Sequence, residues 1–196
     1  MQNQQEKVRF QDSISKSQNQ EAMRQSKNRT KKIRNWAIFL VVLGGLVYVF
    51  VYSSTRPQVP RPGQEFTILG QEHIAVGAVH EAYNSNPPTS GPHYGTPANW
   101  GVYQEELPDE QLIHNLEHGG IWISYKPEII GDIKTELEVL ARKYPLSVVL
   151  TPRSGNDFLI SLASWGRLEN FDTYDEARII EFIRLNKNRS PEPLAR

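Results

Sequence analysis

The chain has 196 residues, with 22 Lys/Arg against 22 Asp/Glu and no cysteine. The missing thiols exclude a disulfide framework and any thiolate metal site. The neutral total hides a split: residues 1–35 carry nine Lys/Arg against three acids, and the remainder carries thirteen against nineteen, or about +6 and −6.

Residues 1–35 are rich in Gln, Asn and Ser, with Phe10 as their only aromatic. Such a segment buries too little apolar surface to offset its ordering entropy, so a disordered tail is expected. Its basic residues suit a topology determinant rather than a nucleic-acid contact, and no nucleic-acid partner is expected.

Residues 36–52, "WAIFLVVLGGLVYVFVY", contain no charge and no proline. This is the short end of what spans a bilayer as a helix, and aromatics at both ends suit the interfacial belts. The run is longer than the apolar part of a typical signal peptide, and no small-x-small cleavage site follows it. The preceding "KNRTKKIR" places the N-terminus in the cytoplasm by the positive-inside rule. The expectation is a single-pass cell-membrane protein with its C-terminal part extracytoplasmic. Residues 53–64, which include "SSTRPQVPRPGQ", read as a Pro-rich spacer.

Residues 65–190 form one expected domain, followed by a tail at 191–196. Its first half is rich in turn residues: "YNSNPPTSGPHYGTPANWG" (83–101) holds four prolines and three glycines. That composition predicts a rigid irregular loop, of the kind that more often carries function than regular structure. "LPDEQLIHNLEHGG" (107–120) predicts a helix, with Pro108 at its start, acids in its first turn and Gly119 at its end. Strands follow at 120–125, 146–150 and 158–164. A helix with apolar residues at Ile130, Ile133, Leu137, Leu140 and Tyr144 lies between the first two, and "FDTYDEARIIEFIRLNKN" closes the domain as another. The predicted class is α+β: a small mixed sheet with helices on one face, and a β-α-β-β-α order that suggests a ferredoxin-like half.

All five histidines, His73, His80, His93, His114 and His118, fall within residues 73–118. On a helix, His114 and His118 lie one turn apart, near enough to chelate one ion, and roughly opposite Leu112 and Leu116. Alone, such a pair also suits a solvent-facing stripe; the three histidines upstream favour a site. The helix C-terminus beside them is a negative dipole end that attracts a cation. His93 arrives on "PPTSGPH", where Pro87, Pro88 and Pro92 fix the backbone and preorganise the ligand. His73 or Glu117 would complete the set. The exported part also lacks methionine, since Met1 and Met23 precede the span, so its ligands can only be nitrogen and oxygen. Zn²⁺ and Cu²⁺ then lead, with Ni²⁺ or Fe²⁺ behind.

"HNLEH" also fits H-x-x-E-H, in which two histidines hold zinc and the glutamate, here Glu117, is the base. The glycines end the helix at once, and only Glu192 stands as a distant acidic third ligand, so peptidase chemistry is set aside. Thr89 and Ser90 lack a nucleophile elbow and read as turn formers.

Two readings compete with a metal-binding protein. One is a metal-free interaction module that meets an envelope protein or glycan through Tyr94, Trp100 and Tyr103. The other is a metal-dependent hydrolase with an open coordination position.

"YNSNPPTSGPHY" (83–94) followed by "IHNLEHGGIWISY" (113–125), with "ASWGR" (163–167) and a final FI…PE pattern, resembles an uncharacterised family of bacterial membrane-anchored proteins. These proteins carry a domain of unknown function with PPTSGPH and HxLEHG motifs. The resemblance implies a shared polar site at His73, His93, His114, Glu117 and His118, to which His80 does not belong. It implies no particular activity.

Overall fold

A computed structural model of the chain describes residues 23, 31–32, 34–53 and 59–193. Most of the expected disordered tail, part of the spacer and residues 194–196 lie outside the described residues. Helix α1, Arg34–Ser53, contains the predicted span and is long and apolar enough to cross a membrane. Residues 60–196 form a separate compact unit.

That unit is built on a mixed six-stranded sheet and three helices. In chain order the elements are β1 (Gln64–Glu65), β2 (His73–Ile74), β3 (His93–Tyr94), β4 (Gly101–Val102), α2 (Asp109–Glu117), β5 (Ile121–Tyr125), α3 (Gly131–Arg142), β6 (Val148–Pro152), β7 (Ile160–Ser164), β8 (Arg167–Phe171) and α4 (Glu176–Asn186). The sheet runs β1-β8-β7-β5-β6-β4, and β2 pairs with β3 in a separate parallel ladder. β5 is central and buried along its whole length, which explains its unbroken apolar character.

Alternate β5 side chains divide the core into two layers. Ile121, Ile123 and Tyr125 join Leu137 and Leu140 of α3 with Ile179, Phe182 and Ile183 of α4. Trp122 joins Leu112, Ile113 and Leu116 of α2, together with Val149 and Trp165. The expectation of helices on one face therefore holds for α3 and α4 only. The other face is covered by α2 and the proline-rich loop packed over it.

The ferredoxin-like expectation is also corrected. β5 and β6 are direct parallel neighbours joined through α3, with no strand between them. A ferredoxin-like half splits that unit. β8 was not expected as a strand; it forms an antiparallel hairpin with β7. Its sequence, RLENF, alternates poorly because it lies next to the short strand β1 near the sheet edge.

The loop is fastened at many points. Asn86 donates to Gly155 O and Asp157, and accepts from Arg153 Nη1 at 2.6 Å. Arg153 also holds the start of α2 through a two-pronged contact with Asp109 at 2.7 and 2.8 Å. Ser90 Oγ accepts from Leu69 N, and Thr89 O accepts from Gly166 N, so both residues tie the loop to distant segments. The Asn115 amide donates to Ala98 O and accepts from Ala98 N, both at 2.9 Å, which fastens the loop's far end to α2. Trp100 and Tyr103 lie packed against the α2 layer.

Candidate metal centre

The site forms where the C-terminal half of α2 meets the loop. Pro108 precedes the helix, and Asp109 and Glu110 occupy its first turn, as its dipole favours. At the other end Gly119 N donates to Leu116 O and Gly120 N to Asn115 O, both at 2.9 Å. This pair of bonds is a Schellman motif, with Gly119 at φ 81° in the left-handed position that favours glycine. Gly120 has a steric role: a Cβ there would meet the Trp100 ring at 2.4 Å. The two glycines of HGG thus end the helix and seat the loop's indole.

His114 and His118 do not form an exposed stripe. α2 is buried on both flanks, with Leu112, Ile113 and Leu116 toward the sheet and His114 and Glu117 beneath the 73–94 segment. The parallel β2–β3 register sets His73 opposite His93. His73, His93, His114 and Glu117 each present a ligand atom within 4.8 Å of the other three. The imidazoles crowd together, His73 stacked on His114 at 5.0 Å and His93 edge-on to both at 4.8 and 5.2 Å.

Hydrogen bonding fixes how two of these histidines face the site. His93 Nδ1 lies 2.8 Å from Gly91 O, and His114 Nδ1 lies 2.6 Å from Tyr94 O. A carbonyl only accepts, so each Nδ1 carries the proton and each neutral ring keeps its Nε2 lone pair. A ring N–H held by a backbone carbonyl in this way orients a histidine's other nitrogen toward a metal. His93 Nε2 is 3.1 Å from Glu117 Oε2, and His73 Nε2 is 3.5 Å from the same oxygen. His114 Nε2 is 3.1 Å from His118 Nε2. Ligand atoms held about 2.1 Å from one tetrahedral ion lie about 3.4 Å apart, so the spacings of His73 and His93 from Glu117 match a shared ion.

The electrostatics favour a cation. Glu117 is 2% exposed, with no Lys or Arg paired to its carboxylate among the described residues. A buried carboxylate facing a neutral imidazole's lone pair sets two acceptors against each other, a conflict that a shared proton or a metal cation resolves. Burial holds His114 below its ordinary pKa; the Tyr94 carbonyl pulls it back, and His118, His93 and His73 press it down again. A neutral imidazole is the form that binds metal.

The other candidates fall at the margins. His118 is half-buried and lies outside the four-residue group, with Nε2 3.8 Å from Glu192 Oε2. His80 turns away: its Nε2 is 3.2 Å from Glu110 Oε1 and its Nδ1 2.7 Å from Glu81 O. The Glu81 carbonyl, and then Glu110, raise its pKa. The residue that sequence reasoning undervalued is Glu192, which it considered only for a peptidase.

The family model described as "Protein of unknown function (DUF3105)" matches residues 78–196. The chain belongs to the DUF3105 family. No curated protein and no solved structure matches it. The DUF3105 match contains His93, His114, Glu117, His118 and Glu192, whereas His73 lies just before its start.

Proposed function

We propose that this DUF3105 chain is a single-pass membrane protein whose domain after α1 lies outside the cytoplasm and binds a divalent transition metal through His73, His93, His114 and Glu117. The observation that carries the reading is the pair of Nε2 atoms on His93 and His114, each ring oriented by a backbone carbonyl, beside a buried carboxylate with no lysine or arginine counter-charge among the described residues. Three nitrogens and one oxygen suit Zn²⁺ or Cu²⁺. In this reading Glu117, flanked by His73 and His93, serves as a ligand rather than a base. The topology rests on the basic excess before α1.

A second reading has one observation in its favour. His73 is 53% exposed on its side chain, so the site is open to solvent on that side and an exogenous ligand can reach the ion. Exchangeable coordination would suit a metal-dependent hydrolase.

The test is metal analysis of the detergent-solubilised full-length chain beside a His93→Ala/His114→Ala variant. Wild type should retain at least about one equivalent of Zn²⁺ or Cu²⁺ after desalting, and the variant very little. The reading fails if no metal co-purifies and both proteins take up added Zn²⁺ and Cu²⁺ equally weakly. Because the chain lacks cysteine, Ser13→Cys and Thr173→Cys test the topology separately. A membrane-impermeant maleimide applied to intact cells should label the second and spare the first.

A further inference from the structure

The end of α2 holds a second set of ligating groups, two of which the proposed ion does not use. Glu117, His118 and Glu192 each offer a ligand atom, all within 4.8 Å of one another. Glu117 therefore belongs to both sets. A carboxylate has two oxygens and about four lone-pair positions, enough to serve two ions.

The fold brings Glu192 there by a specific route. After α4, Asn188 takes φ 58° and turns the chain back. Asn188 N then donates to Gly119 O at 2.8 Å, and Glu192 N donates to Glu117 O at 3.2 Å. The tail lies so close that a Cβ on Gly119 would meet Asn188 Cα at 2.8 Å. The glycine that ends α2 thus also makes room for the segment carrying Glu192. Its Oε2 sits 3.8 Å from His118 Nε2, a span that an ion about 2.1 Å from each atom bridges at an angle of about 130°.

We propose that Glu117, His118 and Glu192 form a second divalent-cation position beside the first, so that the centre is dinuclear with the Glu117 carboxylate as the bridge. The proposal rests on the metal-binding reading above. The inner position is nitrogen-rich and holds its ion more tightly. The outer one has two carboxylates and one imidazole, with Glu192 54% exposed, and takes an oxygen-tolerant ion such as Zn²⁺ or Mn²⁺. Paired ions about 3.5–4 Å apart are the arrangement that clamps the two reacting oxygens of an ester or phosphoester. The outer ion, being the more accessible, would be the one to meet such a substrate.

The experiment titrates the metal-stripped full-length chain in detergent with Zn²⁺, by calorimetry and by metal analysis after desalting. Wild type should bind about two ions in two distinguishable steps, and Glu192→Gln about one. Glu192→Gln is an exposed, near-isosteric change, and a circular-dichroism spectrum confirms its fold. Gly119→Ala, which displaces the tail, should match it. One ion in both wild type and Glu192→Gln overturns the second position and leaves the first standing. Two ions in both overturns the placement on Glu192. No binding by wild type overturns the metal reading itself.

Discussion

Replacing Glu117 with glutamine should raise the stability of the metal-free protein and shrink the stabilisation that zinc adds. With His93 neutral and no metal bound, its Nδ1 proton lies on Gly91 O and its Nε2 lone pair turns toward Glu117 at 3.1 Å. A glutamine amide can donate to that lone pair, turning an acceptor–acceptor contact into a hydrogen bond. One such bond contributes about 1 kcal/mol net. Removing a carboxylate that is 2% exposed adds to the gain. The variant should therefore be more stable than wild type in EDTA by about 1–3 kcal/mol, or roughly 3–4 °C in Tm for each kcal/mol at this size. In zinc the variant loses at least about 1.3 kcal/mol of that lead. At 100 times Kd, the ion stabilises wild type by about 2.7 kcal/mol. If the lost ligand weakens binding at least tenfold, the variant's gain shrinks to about 1.4 kcal/mol or less at the same zinc concentration. Thermal unfolding followed by tryptophan fluorescence, with EDTA and with Zn²⁺, measures both effects. A variant that melts lower than wild type in EDTA, yet keeps the full zinc shift, would refute the reasoning.

Trp165 has its ring 6.3 Å from His93, so Cu²⁺ in the site should quench it, and Trp165→Phe should remove the largest single share of the copper-induced loss; an unchanged loss would place the copper elsewhere. Asn115→Ala removes both bonds to Ala98 and leaves a buried amide and carbonyl unpaired, so it should cost about 2–3 kcal/mol in denaturant unfolding. A change under about 0.5 kcal/mol would mean that other contacts fasten the loop. Burial pushes the Tyr83 phenol well above its ordinary pKa, with Glu110 and Asp109 adding to the rise. The folded state keeps a proton that the unfolded chain releases above about pH 10, so stability falls as pH rises past that point, by up to about 1.4 kcal/mol per pH unit. Tyr83→Phe should flatten that slope in alkaline melts by about one proton. His80 faces Glu110 rather than the site, so His80→Ala should leave zinc stoichiometry unchanged, and a lost equivalent would contradict its placement.

The second half of the domain was readable because its periods are clean. Leu137 and Leu140 of α3, and Ile179, Phe182 and Ile183 of α4, face one buried layer and repeat at helical spacing. β8 was not readable, because the adjacent polar pair Glu169 and Asn170 breaks its alternation within a five-residue run. The ligand side of α2 was half-readable. The leucine face implied where the core lies, but the cover over His114 and Glu117 comes from a polar, turn-rich segment whose burial leaves no periodic trace. His93 could be named from its rigid loop. Its alignment with His73 could not, because a two-residue parallel ladder has no sequence pattern. The place of Glu192 beside His118 lay beyond reach for another reason. Its approach depends on the reversal at Asn188 and on the space left by Gly119, a long-range fit that local pattern does not encode.

An anomalous-difference map at the zinc edge, from crystals of the zinc-loaded protein, tests the central claim most directly. The account predicts a peak about 2.0–2.2 Å from Nε2 of His93 and Nε2 of His114, in contact with the Glu117 carboxylate and His73. A map with no peak among these four side chains, or one in which zinc sits only on surface groups such as His80 and Glu110, would contradict it.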